Sequence, residues 1–155
     1  MSMKQIILKQ YREKLNRLVG RFDDMAIPKE GWLRTVRKAF NMSGAQLARR
    51  MGVTRASVSN AEKAELSGGV TLKKMEAMAQ TMNCRFVYAI VPIENVEQAI
   101  KQRALKKATQ RVKDTSVHMA LEEQTLSAEQ IQFECERIAS ELVEQMPTDF
   151  WEDEA

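Results

Sequence analysis

Apolar residues recur at three- and four-residue spacing along most of the chain, and that rhythm breaks once. Over residues 3–19, Ile6, Ile7, Tyr11, Leu15 and Leu18 are interleaved with Lys4, Lys9, Arg12, Lys14 and Arg17. That pattern predicts a basic amphipathic helix, whose cations either touch flanking phosphates or form a solvated face. Residues 27–31, Ile-Pro-Lys-Glu-Gly, have no period and hold a Pro and a Gly, so they read as a connector. Trp32, Leu33, Val36 and Phe40 then return to helical spacing, with Arg34, Arg37 and Lys38 on the other side.

Ser43 followed by Gln46 is a capping box, in which the hydroxyl takes a backbone N–H and the amide reaches back. A helix starts there with Leu47, Ala48 and Met51 as its stripe, and Gly52, which tolerates positive φ, ends it. Thr54 is the next N-cap. Beyond it Val58 and Ala61 point inward, and Arg55, Ala56, Ser57, Ser59 and Asn60 face out. Residues 66–70 read as a loop. Thr71 caps a further helix with Leu72, Met75, Met78, Ala79 and Met82 on one face, the methionines serving as packing.

The break comes at residues 83–92, NCRFVYAIVP. β-Branched and aromatic residues bounded by Asn and Pro predict a short β-strand. A lone strand leaves backbone groups unpaired, so the expectation is pairing with the same strand of a second copy and a two-fold dimer. From Ile93 the helical period resumes. Val96, Ile100, Ala104 and Ala108 are separated by fours, and Lys101, Arg103, Lys106, Lys107, Arg111 and Lys113 form a second basic face, either skirting DNA or solvated. Ser127 with Gln130 is another capping box, opening a helix to about residue 146 with Ile131, Ile138, Leu142 and Val143 as its stripe, and Pro147 stops it. The closing DFWEDEA joins two aromatics to four acids, a composition suited either to docking on a basic partner groove or to folding back on its own core.

Charge sharpens this organisation. The net +3 divides into +10 over residues 1–91 and −7 over residues 92–155, and beyond residue 120 only Arg137 opposes the acids. A cationic front is the electrostatic footprint of a phosphate-binding protein, whereas an acidic rear contacts protein, orients the molecule or serves solubility. Cys84 and Cys135 stand far apart without neighbours at metal-ligand spacing, so neither a metal site nor a disulfide scaffold is indicated, and no cofactor is expected. His118 has no adjacent nucleophile or paired acid, and a structural role is expected for it. No apolar run is long enough for a membrane span, nor is the start of the chain that of a signal peptide, so a cytoplasmic, non-enzymatic protein is expected.

The candidate chemistry lies in the outward face beyond Thr54. Small side chains let a helix approach the major groove, and Arg and Asn make bidentate contacts to guanine and adenine edges. Gln46-Leu47-Ala48, Gly52-Val53-Thr54, Val58-Ser59 and Glu62 resemble the helix-turn-helix pattern of phage-repressor-like proteins of the Xre and Cro/C1 type. The resemblance implies that Gln46 meets phosphate, that Leu47, Ala48, Val53 and Val58 hold the two helices together, and that Arg55, Ala56, Ser57, Ser59 and Asn60 face double-stranded DNA, with Thr54 at the head of that row. That family usually has Gly two residues after the Glu. Here Ala64 stands there and Gly68-Gly69 come later, so the recognition helix is expected to run longer.

Gly31-Trp32, Thr71-Leu72, the CRFVYAIVP segment and the SVHMALEEQ stretch are similar to the mobile mystery protein A family, over about residues 8–142. That resemblance implies a repressor-like protein accompanying a Fic-domain protein, hence either an autoregulating repressor or an antitoxin that binds its partner directly through its C-terminal half. The expected fold is mostly α. A basic helix (residues 1–26) precedes a lambda-repressor-like helix-turn-helix bundle (27–82), a dimerisation strand (83–92) and a helical extension with an acidic tail (93–155).

Overall fold

The computed structural model describes residues 1–121 and 126–153, with side chains placed up to residue 117 and again from 126. The described residues form seven helices: α1 (Met3–Asn16), α2 (Trp32–Ala39), α3 (Gly44–Met51), α4 (Arg55–Ser67), α5 (Leu72–Thr81), α6 (Val96–Leu121) and α7 (Ala128–Gln145). They divide into two compact units, Asp23–Ile90 and Met1–Phe22 with Val91–Ala155.

In the first unit, α2 to α5 close around Leu33, Leu47, Ala48, Val58, Ala61, Met75, Met78 and Met82. The methionines of α5 are part of this core, as their spacing predicts. Each large side chain sealed here contributes about 1.5–3 kcal/mol. Local chemistry sets the helix ends. Ser43 makes the predicted reciprocal box with Gln46, Thr54 accepts from the Ser57 N–H, and Thr71 accepts from the Lys74 N–H. Gly52 (φ 70) and Gly68 (φ 81) close α3 and α4 in the left-handed region. The recognition helix therefore does run on to Ser67.

The strand expected over residues 83–92 is absent, and the described residues contain no sheet. Asn83, at φ 56, ends α5, and the Asn83 and Cys84 N–H groups donate back to the carbonyls of Gln80 and Ala79. The chain beyond is irregular and exposed, with Phe86 against the core and stacked on Tyr88 at 5.7 Å between ring centres. β-Branched and aromatic content reports a preference for a pleated surface, and a strand forms only where a neighbour completes its hydrogen bonds. Here Phe86 packs against the helical core, while Val87, Tyr88 and Ile90 stay exposed. The dimerisation strand is withdrawn with the sheet.

The second unit is a long hairpin of α6 and α7 with α1 beside it. Ile100, Ala104 and Ala108 of α6 meet Ala139 and Leu142 of α7, the alanines allowing close approach, and Phe150 (1% exposed) fills the end. Asn16 joins α1 to this hairpin. Its Oδ1 accepts from the Val96 N–H at 2.8 Å and its Nδ2 donates to Glu97 at 2.8 Å, so the end of α1 caps the start of α6. That bond holds the Glu97 carboxyl below its usual range.

The acidic tail folds back. Arg103 donates to the carbonyls of Phe150 and Glu152 and to the Asp153 carboxylate at 3.1, 2.7 and 2.8 Å, and buried Lys107 donates to the Asp149 carbonyl at 2.6 Å. Two members of the predicted basic face of α6 are thus engaged within the unit. The side chain of His118 lies outside the described residues.

Candidate nucleic-acid interface

Two N-cap motifs set this surface. Ser43 fixes the first turn of α3, and Gln46 Oε1 accepts from the Ser43 N–H at 2.8 Å, leaving the Gln46 amide N–H groups as donors at the surface. Thr54 fixes the first turn of α4 through its hydroxyl oxygen, which accepts from Ser57 N–H at 3.1 Å and leaves the hydroxyl proton to donate. Buried Leu47, Ala48, Val58 and Ala61 lock α3 against α4. That contact leaves Gln46, Thr54, Arg55, Ala56, Ser59 and Asn60 exposed, with Ser57 half-buried at the edge.

Between the start of α3 and the flank of α4 runs a groove of about 400 Å³ whose walls include Arg34, Ser43, Gly44, Arg55, Ser59 and Lys63. Arg34 is held on one side by Glu30, whose carboxylate also takes a 2.7 Å bond from Lys38. The Lys38 bond comes first among the causes that keep Glu30 below the ordinary carboxylate range. A second hollow of about 430 Å³ lies beside Gln46, edged by Phe40, Asn41, Arg49 and Arg50.

The brace behind the surface was not legible as such. Arg37, which periodicity assigns to the solvent side of its helix, turns inward. Its Nε and Nη2 donate to the Glu62 carboxylate at 2.6 and 3.2 Å, and Nη1 donates to the Met42 carbonyl at 3.0 Å. Both side chains are largely buried, 14% and 12% exposed. The bond to Glu62 is the first cause that raises the Arg37 pKa further. One guanidinium thus ties α2, the turn before α3, and α4.

Glu65 is a second brace. Its carboxylate accepts from the Trp32 and Leu33 N–H groups at 2.6 and 2.8 Å and so caps α2 from the last turn of α4. Gly31 makes room for it. At φ +85 it is in the left-handed region, and a Cβ there would sit 3.0 Å from the Glu65 carboxylate. One sequence feature hints at this: Gly31, unlike Ser43, Thr54 or Thr71, brings no capping side chain to its helix, so the cap must come from elsewhere. It comes from the part of α4 that a glycine at position 64 would have ended.

The family model described as helix-turn-helix matches residues 33–88. Residues 33–88 are a helix-turn-helix domain, with α3 as its first helix and α4 as its second. Domains of this kind occur in DNA-binding transcription regulators. No curated protein and no solved structure matches the chain. No described helix is long and apolar enough to cross a membrane.

Proposed function

We propose that this protein is a sequence-specific transcriptional repressor that binds double-stranded DNA as a homodimer, reading bases with α4. The observation that carries this reading is the row Thr54, Arg55, Ala56, Ser57, Ser59 and Asn60 at the start of a helix-turn-helix second helix, exposed except for half-buried Ser57. Each member has a use there. Arg55 suits guanine O6 and N7, Asn60 suits adenine N6 and N7, the serines suit either, and Ala56 leaves room for a thymine methyl. Gln46 and Thr54 keep outward donors for phosphate oxygens, which set register without reading sequence. The cationic half of the chain supplies the long-range attraction.

Gel-shift titration against the upstream DNA of its own gene, at several salt concentrations, tests the reading. Preferred binding to one segment, with log K falling linearly in log salt, supports it; equal affinity for all duplexes sinks it. The autoregulated operon and the Fic-domain partner rest on the family resemblance. The bonds that hold the tail to α6 weigh against that tail as a free handle for a partner enzyme. Co-purification from native cells tests the partner.

A further inference from the structure

Among the described residues, the unit built from α1, α6 and α7 leaves two helix faces uncovered, and they are opposites. On α1, Met3, Ile7 and Tyr11 follow one another at four-residue spacing, and Tyr11 is 65% exposed; Lys4 and Lys14 lie alongside. No residue of α1 is buried, although its other side is tied down through Asn16. On α7, Phe133 (64% exposed) points away from the buried Cys135, Ala139 and Leu142, among Glu129, Glu136 and Glu144. Counting side-chain charges, α1 carries +3 over Met3–Asn16 and α7 carries −4 over Ala128–Gln145.

We propose that these two faces are the halves of one interface between two copies of the chain, with α1 of each copy lying along α7 of the other. Three features commit the surface to a second copy. The chain carries both halves, as a closed two-fold interface requires. The charges are complementary, which favours encounter and fixes register. Each face stays exposed while another side of its helix is engaged, so neither is covered by the described residues of its own unit. Aromatic residues at the centre of a charged rim are the usual composition of such a contact.

Sedimentation equilibrium of the full-length protein without DNA tests the interface separately from the DNA-binding reading. The wild type is expected to be a dimer. Lys4→Glu/Lys14→Glu and Glu136→Lys/Glu144→Lys should each weaken association by about tenfold or more, because every reversal is felt at two symmetric contacts. Joining the four changes in one chain should restore it. Lys9→Glu, off the apolar stripe, should leave association unchanged, and circular dichroism checks that the helices persist in each variant. A monomer at all concentrations, a dimer indifferent to both reversals, a dimer seen only with DNA present, or a four-fold variant no stronger than the doubles would each overturn the proposal. Loss of DNA binding with the dimer intact would instead strike the DNA reading alone.

Discussion

Arg55 and Gln46 are both exposed, yet they are expected to fail differently when truncated. Arg55→Ala should relax preference at one operator position, costing about 1–3 kcal/mol for the preferred sequence and little for others, while Gln46→Ala should weaken all sequences alike and, because a neutral amide displaces no counterion, leave the salt slope unchanged. Competition gel shifts with single-base operator variants separate the two, and identical profiles would undo the role assignment. Behind that face, Gly31→Ala should destabilise the helix-turn-helix unit by about 1–3 kcal/mol, since it combines a strained φ with displacement of the Glu65 cap. Thermal unfolding reads this, and an unchanged midpoint would mean that the cap is dispensable. Glu62→Ala should cost a similar amount, about 1–3 kcal/mol, by leaving the Arg37 guanidinium without its carboxylate. The exposed members of this site were legible residue by residue because outward position follows from period and cap. Arg37, Glu62 and Glu65 were not, because a charged residue on a helix reads as solvated until a partner from another element meets it.

At the level of elements, ends were read better than neighbours. Ser43, Thr54, Thr71 and Ser127 were all legible as caps, because capping is settled within a few residues of chain. The segment over residues 83–92 was misread for the converse reason: strand formation depends on a second strand, which nothing local supplies. The tail illustrates the same limit, since its composition suited a partner or its own core, and Arg103 and Lys107 decide for the core. Arg103→Ala should therefore release it, shifting Trp151 emission in a Trp32→Phe background; an unchanged spectrum would mean that Phe150 and the Lys107 bond hold the tail without Arg103. The Arg103 hydrogen bond, first among the causes, depresses the Asp153 carboxyl below its ordinary 3.8. The contribution of this pair is therefore fully present above pH 3.8 and is lost as pH falls through the lower folded value. Trp151 emission should stay flat through neutral and mildly acidic pH and change only below that point, and a transition near neutrality would contradict the pairing.

At the scale of the whole molecule, a cationic helix-turn-helix unit shares the chain with a three-helix unit whose basic and acidic faces are both exposed. Raising salt should weaken DNA binding in proportion to the phosphates contacted and also loosen the α1–α7 dimer, so the apparent operator affinity should fall more steeply than for a variant held as a dimer by a covalent tether. Equal slopes would separate dimerisation from DNA binding. The amino-acid sequence by itself determined the helices, the caps at Ser43, Thr54, Thr71 and Ser127, the lengthened α4, the outward row from Thr54 to Asn60 and the division of charge, because each is set by residues a turn or less apart or by composition. Only the tertiary structure decided that residues 83–92 are not a strand, that Arg37 and Glu65 brace the second helix, that the N-terminal helix belongs with α6 and α7, and that the tail is clasped. Those outcomes depend on groups brought together from distant parts of the chain, where pairing, desolvation and close packing choose among arrangements that local propensity leaves open.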